Sequence, residues 1–172
     1  DTKVEPQDPP NILLIILDDL DWFDLGAYGA KDIRTPRIDE IASQGMVLTN
    51  YYAAAPICSP SRVSVHTSQY PSTLAFPTEI WEQDPEEIVG AQWGGNKRGI
   101  PRYFPTIADI LKKKNYHTAH FGKWHLGLDF AKQADGETID YTKPVRNGPN
   151  DLGFDYSYII TASLDFPPYV YL

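Results

Sequence analysis

The most constraining feature of the sequence is an unbroken apolar run near its amino end. Residues 11–17 read Asn-Ile-Leu-Leu-Ile-Ile-Leu. A short aliphatic run without polar alternation is typical of a parallel strand that is buried on both faces of a sheet. The run stops abruptly at two adjacent carboxylates, Asp18 and Asp19. The pattern therefore predicts a central strand with both aspartates at its carboxyl end.

Helical signals occur in three later segments. Thr35 can cap a helix that carries Pro36 in its first turn and ends at Gly45. Ser59 can cap a second helix, which would place Cys58 at a helix amino terminus. The third pattern covers residues 106–114 and would turn Ile107, Ile110 and Leu111 inward.

Strand signals alternate with these helices. Residues 47–54, 116–121 and 154–160 have the composition of strands, and residues 71–105 show no sustained period, which predicts a long surface excursion. Alternating strands and helices predict an α/β fold with a mostly parallel sheet flanked by helices. We expect a polar leader at residues 1–9 and one domain over residues 10–172, which is long enough to bury a core.

Charge and composition exclude several classes of function. Fifteen Lys and Arg stand against 23 Asp and Glu, and the net charge is −8. This balance argues against a nucleic-acid surface and offers no basic patch for a membrane. No apolar run approaches the roughly 20 residues that a membrane span requires. With one cysteine, no internal disulfide can form, so the single thiol must have a role other than disulfide bonding within the chain.

Three groups of polar residues fall where strands are predicted to end, and ligands of open α/β sheets gather there. The first group is Asp18 and Asp19. Two adjacent carboxylates suit a hard ion such as Ca²⁺ or Mg²⁺, although for the pair taken alone a turn cap beside a solvated carboxylate is the better explanation. The pair alone is weak evidence for a metal.

The second group runs Cys58-Ser-Pro-Ser-Arg62, and the third contains Lys123 and His125. Helix amino termini and guanidinium groups both favour tetrahedral oxyanions, so Cys58 beside Arg62 suggests a nucleophile directed at sulfate or phosphate. A buried structural thiol is the plain alternative. Lys123 and His125 would point to one side of an extended segment, where one could bind an anion and the other relay a proton.

The order of these pieces resembles the type I sulfatases of the alkaline-phosphatase superfamily. Pro10-Asn11 leads into the aliphatic run and the aspartate pair, Cys58-x-Pro-Ser-Arg62 follows, and Gly122-Lys-Trp-His-Leu-Gly127 comes later in the chain. The resemblance implies that residues 10–172 are the amino-terminal part of a sulfatase catalytic domain with the alkaline-phosphatase-like fold, incomplete at the carboxyl end. It departs at Ser68-Gln69, where the family usually has Gly-Arg.

The resemblance also implies a role for each matching residue. Cys58 would be oxidised to formylglycine by a formylglycine-generating enzyme, and its hydrate would attack sulfur. Arg62 would hold that hydrate, Lys123 would bind the sulfate and His125 would hydrogen-bond the hydroxyl. The remaining roles are a Ca²⁺ site (Mg²⁺ as the less favoured ion) formed by Asp18, Asp19 and modified Cys58, and a sulfate contact from Ser163.

The resulting hypothesis is a sulfatase that hydrolyses sulfate esters of a carbohydrate or an aryl alcohol. The family takes further metal ligands, a histidine and a lysine from later sequence, so we expect these 172 residues alone to be inactive. Two alternatives are a phosphonate monoester or phosphodiester hydrolase of the same superfamily, and a non-catalytic protein that binds sulfated glycans.

The family implies a periplasmic or extracellular location, or a lysosomal or secretory one in a eukaryote. The absence of an Asn-x-Ser/Thr site mildly favours a bacterial source.

Overall fold

The structure is a computed structural model that describes residues 8–73, 100, 102–163 and 169–172. The chain divides into two compact units, Asp1–Tyr51 and Tyr52–Leu172. Most of the predicted surface excursion at residues 71–105 lies outside the described residues. No helix in the described ranges is long and apolar enough to cross a membrane.

The aliphatic run of the first unit does not form the predicted strand. Residues 11–17 have no regular secondary structure, and their apolar side chains are exposed, Leu13 by 84%. Residues 47–54 form no strand either, so both predictions are wrong for this structure. A parallel strand is held by hydrogen bonds to its neighbours, and no second strand lies within the described part of this unit to supply them.

Helix α1, Pro36–Gln44, is the main element of the first unit and confirms the predicted bounds, although Thr35 occupies the N-cap position without a side-chain capping bond. Its amino end is tied to a short 3₁₀ turn, Gly26–Tyr28. Thr35 Oγ accepts from the Gly26 N–H at 2.9 Å, and Asp39 Oδ1 accepts from the Ala27 N–H at 2.8 Å. The first turn of α1 therefore fixes the loop that precedes it.

The second unit contains two helices and a pair of parallel strands among its described residues. Helix α2 spans Cys58–Thr67 and helix α3 spans Ile107–Lys112. Strand β1, Ala119–Lys123, pairs with β2, Tyr156–Ile160, and Ala119 lies opposite Tyr156. Both strands overlap the predicted segments but begin two or three residues later, and the predicted parallel sheet flanked by helices is confirmed.

The core of this unit lies between α2 and the strands. Val63 from α2 and Trp124 and Leu126 from the segment after β1 are fully buried, and Ile159 of β2 joins them. In α3 the buried residue is Ala108, whereas Ile110 is 53% exposed. The expectation that Ile110 turns inward was therefore wrong. Because the buried position is a small alanine, α3 can pack closely through Ala108.

Helix α3 also fixes the start of both strands through side-chain hydrogen bonds. Thr106 caps the helix, and its hydroxyl donates to the Leu152 carbonyl at 2.7 Å. Asp155 accepts from the Thr118 N–H at 2.9 Å and pairs with Lys112 at 2.6 Å. The Lys112 ammonium is the main reason that the pKa of Asp155 is lowered to about 2. These bonds hold residues 118 and 155 together just before the strands begin.

The parallel pairing continues past the carboxyl ends of the strands. The Trp124 N–H donates to the Ile160 carbonyl and the His125 N–H donates to the Thr161 carbonyl, both at 3.0 Å. The segments that follow β1 and β2 therefore leave the same edge of the sheet side by side. Ligand sites of α/β proteins form at this edge.

Candidate active site

Cys58 occupies the first turn of α2, as the sequence predicted. Ile57 is the N-cap residue and makes no side-chain capping bond, and Cys58 itself is half-buried. The first turn of a helix carries backbone N–H groups without partners inside the helix, and these favour an anionic group. The single thiol of the chain thus lies in a place suited to an anion.

Lys123, the last residue of β1, reaches this thiol. Its Nζ donates a hydrogen bond to Cys58 Sγ at 3.3 Å. The two residues are 65 positions apart in sequence, so the fold brings together two of the predicted catalytic residues. A primary ammonium in this place stabilises negative charge on the group at position 58 and on an anion beside it.

Arg62 is buried one turn further along α2, with 8% of its surface exposed. Its Nη1 donates to the backbone carbonyl of Lys123 at 2.8 Å. This contact ties α2 to the end of β1 at the residue whose side chain meets Cys58. The role predicted from the family, a contact with the aldehyde hydrate, is a different one and remains a prediction.

His125 lies two residues after Lys123 and has a left-handed backbone, with φ of 57°. The prediction of an extended segment with both side chains on one side is therefore wrong at His125. Its carbonyl accepts a hydrogen bond from Ser59 Oγ at 2.8 Å. Together with the bond from its N–H to the Thr161 carbonyl, this contact holds the peptide of His125 from two sides.

Ser59 was missed as a contributor to the site, because the sequence was interpreted only in terms of helix capping. A capping serine accepts a hydrogen bond from a backbone N–H, whereas Ser59 donates to a carbonyl in a distant loop. The signal in the sequence was its spacing from Arg62. Residues three apart lie on one helix face, so Ser59 and Arg62 could have been predicted to contact the same partner.

Ser163 and the aspartate pair belong to different units of the chain. Ser163 follows β2 at the sheet edge where β1 also ends, and it is buried, with 6% of its surface exposed. Asp18 and Asp19 belong to the first unit, in an exposed turn where Asp19 has φ of 54°. The metal-binding roles of Asp18, Asp19 and Cys58 remain predictions.

A buried histidine, His66, and a half-buried one, His120, pack next to these residues, and the sequence analysis assigned neither. The rings of His66 and His120 are 5.5 Å apart and both pack against Trp124. Burial is the main reason that the pKa of His66 falls to about 4, with further contributions from His120 and Arg62. The pKa of His120 is lowered as well, again chiefly by burial. Both imidazoles are therefore neutral at neutral pH, next to a charged guanidinium.

The site therefore consists of a cysteine at a helix amino terminus that contacts a lysine at the end of a parallel strand. Comparison with known families identifies the class of protein to which this site belongs. The family model described as Sulfatase matches residues 10–165, and the chain belongs to the sulfatase family.

Several characterised relatives are similar to this chain. It is 37% identical over 163 residues to the N-acetylgalactosamine-6-O-sulfatase of Bacteroides thetaiotaomicron, covering 95% of this chain and 29% of the relative. It is 41% identical over 123 residues to the human N-acetylgalactosamine-6-sulfatase, covering 69% and 22%. Human steryl-sulfatase is 38% identical over 154 residues, covering 90% and 24%. The chain thus spans less than a third of the length of each of these relatives.

Solved structures have the same fold. One is a structure titled for the metabolism of multiple glycosaminoglycans by Bacteroides thetaiotaomicron, with a TM-score of 0.66 and 34% sequence identity. The match covers 90% of this chain and 29% of the solved chain. The structure of Ps i-CgsB in complex with k-i-k-neocarrahexaose gives a TM-score of 0.58 at 30% identity, covering 85% and 27%. The α/β architecture is therefore that of the alkaline-phosphatase-like sulfatases.

Proposed function

We propose that this chain carries the nucleophile and part of the sulfate-binding site of a sulfuric ester hydrolase. The observation that supports this most directly is the 3.3 Å contact between Lys123 Nζ and Cys58 Sγ at the amino end of α2. A cysteine with a purely structural role behaves as a small apolar group and packs against apolar side chains, not against a lysine ammonium. Membership of the sulfatase family makes a sulfate ester the preferred substrate.

The nucleophile in this proposal is a formylglycine made from Cys58. One hydroxyl of the aldehyde hydrate attacks sulfur, and the bond from sulfur to the ester oxygen breaks so that the alcohol leaves. Loss of a proton from the second hydroxyl then expels sulfate and restores the aldehyde. The ammonium of Lys123 binds the sulfate and balances the charge that develops on its oxygens, and the N–H groups of the first turn of α2 add to this effect. Arg62 holds the Lys123 peptide and adds positive charge next to the site. His125 hydrogen-bonds the nucleophile, and Ser163 contacts the sulfate.

We further propose Ca²⁺ as the metal, held in part by Asp18 and Asp19. Carboxylate oxygens are the ligands that Ca²⁺ prefers, and a thiol sulfur is a poor one. Cys58 fits this donor set only after its conversion, which replaces sulfur by oxygen. The ion would supply positive charge against the sulfate group. Ca²⁺ takes about 6–8 oxygens, so these residues are a part of its coordination shell.

The substrate that we propose is a sulfated carbohydrate. Support comes from relatives named N-acetylgalactosamine-6-sulfatase and from a similar protein solved with a neocarrahexaose. The maturation partner is a formylglycine-generating enzyme. A location in the periplasm or outside the cell, or in lysosomes or the secretory route of a eukaryote, rests on the family resemblance alone.

The test compares substrates on the full-length protein, produced with a formylglycine-generating enzyme. We expect turnover of an aryl sulfate and of N-acetylgalactosamine 6-sulfate to exceed turnover of an aryl phosphodiester, and removal of Ca²⁺ by a chelator to abolish it. Preference for the diester would instead indicate the phosphodiester hydrolases of the superfamily. Binding of sulfated glycans without any turnover would indicate a non-catalytic protein.

A further inference from the structure

Two side chains of α2 donate hydrogen bonds to backbone carbonyls at the end of β1 and two residues beyond it. Ser59 Oγ donates to the carbonyl of His125 at 2.8 Å, and Arg62 Nη1 donates to the carbonyl of Lys123 at 2.8 Å. Residues three apart lie on one face of a helix, and the two accepting carbonyls belong to alternate peptide groups of one short segment. The helix that begins with Cys58 therefore fixes both Lys123 and His125 through their backbone.

The contact at His125 carries an additional constraint. A left-handed backbone is unfavourable for a residue with a side chain, and His125 adopts it with φ of 57°. Such a conformation persists only where the surrounding structure determines it. Here the Ser59 hydroxyl holds the carbonyl and the Thr161 carbonyl accepts from the N–H, so the imidazole direction depends on both bonds.

The hydroxyl of Ser59 is not needed by its own helix. A second serine of α2, Ser64, donates to the carbonyl of Pro60 inside the helix at 3.1 Å. Ser59 instead bonds a residue 66 positions away. Ser64 thus bonds only within its own helix, whereas Ser59 bonds to the segment after β1. Ser64 is therefore a matched control for Ser59.

We propose that Ser59 is a positioning residue that acts through His125, by fixing the left-handed peptide that sets the direction of the His125 imidazole. The proposal rests on the proposed sulfatase function, because it assigns His125 a part in that reaction. Ser59 affects the chemical step and leaves sulfate binding to Lys123, whose peptide is held separately by Arg62.

The test uses the full-length protein with three substitutions: Ser59→Ala, Ser59→Thr and the control Ser64→Ala. Conversion of Cys58 is measured for each by mass spectrometry, and rates are expressed per formylglycine, since Ser59 lies next to the modified residue. We expect Ser59→Ala to lower kcat for an aryl sulfate by about 3- to 10-fold with KM within about 2-fold, as for loss of one oriented hydrogen bond. Its kcat against pH profile should also shift. Ser59→Thr should restore both, and Ser64→Ala should match the wild type.

A crystal structure of Ser59→Ala gives a second reading that does not depend on turnover. We expect the His125 peptide to leave the left-handed region or its imidazole to be displaced. An unchanged His125 together with unchanged kcat would overturn the proposal, and so would equal losses in Ser59→Ala and Ser64→Ala. Absence of sulfate-ester turnover in the wild type would instead contradict the proposed function, while the geometry of His125 in the variant would still decide the role of Ser59.

Discussion

At the scale of single residues, the contact between Lys123 and Cys58 connects the sequence with the chemistry. The sequence placed both residues at strand or helix ends, and the structure joins them through one hydrogen bond at 3.3 Å. A lysine beside a nucleophile has its largest effect where charge develops during the reaction. The contribution of Lys123 should therefore appear in the rate of hydrolysis more than in the stability of the fold.

Replacing Lys123 by alanine tests that contribution. We expect kcat/KM for an aryl sulfate to fall by about 10²–10³-fold, because removing one preorganised donor from such a site has an effect of this size. Lys113→Ala, at the exposed end of α3, is the control and should leave the rate unchanged. A loss smaller than about 3-fold in Lys123→Ala would contradict the role assigned to this ammonium.

His66 should make stability depend on pH in a defined window. Its pKa is 6.5 when unfolded and about 4 in the folded protein, so between these values the unfolded state binds the extra proton. Stability is therefore full above about pH 6.5 and falls as the pH drops toward 4. The slope contributed by one such group is at most about 1.4 kcal/mol per pH unit. Asp155, whose pKa is lowered to about 2, loses its contribution only below that window.

Urea unfolding midpoints between pH 4.5 and 7 measure this dependence. His66→Leu should flatten the slope because it removes the titrating group while keeping the site apolar, whereas His117→Gln, at an exposed position, should not. An equal slope in the wild type and His66→Leu would show that burial of His66 does not control the acid sensitivity.

Residues with a chemical signature were predictable, and residues that act through packing were not. Cys58 and Lys123 stand out by type and position, and the structure joins them. The pair formed by His66 and His120 depends on how α2 lies against β1, which no local pattern encodes. Ser59 could have been found from its spacing to Arg62, but its partner, the carbonyl of His125, depends on the fold.

At the scale of elements, local signals predicted the helices better than the strands. Pro36 and Thr106 mark helix starts that the structure confirms, because capping depends on nearby residues. A strand depends on its neighbours. Residues 119–123 and 156–160 pair with each other, whereas residues 11–17 have no partner in the described part of their own unit and form no strand.

The turn before β2 provides a test of close packing between elements. Gly153 has φ of 97°, and a Cβ built on it would lie 2.7 Å from the backbone nitrogen of Asp109 in α3. Gly153→Ala should therefore suffer from the backbone conformation and from a clash with a helix, together about 2–4 kcal/mol of unfolding free energy.

Gly136 is the matched control for this substitution. It also has a positive φ, 73°, but a Cβ there would meet nothing within 4 Å. Gly136→Ala should destabilise by only about 1 kcal/mol, the part due to the backbone. Denaturant unfolding of both variants measures the difference, and equal losses would indicate that α3 does not pack against Gly153 in solution.

At the scale of the whole molecule, family membership and the parallel strand pair both support a sulfatase site at the carboxyl ends of the strands. The family model covers residues 10–165, and the aligned segments cover 29% of the bacterial relative and 22% of the human N-acetylgalactosamine-6-sulfatase. The chain contains the predicted nucleophile position, its lysine and its arginine close together.

The central claim is that Cys58 becomes the nucleophile of a sulfatase, and the mass of the peptide that carries it tests this most directly. Trypsin should release residues 38–62 as one peptide, since no Lys or Arg lies between Arg37 and Arg62. In protein isolated from its native host, we predict a mass roughly 18 Da below that of the thiol form, as expected for conversion to the aldehyde. A peptide that carries only the unmodified thiol would contradict the account.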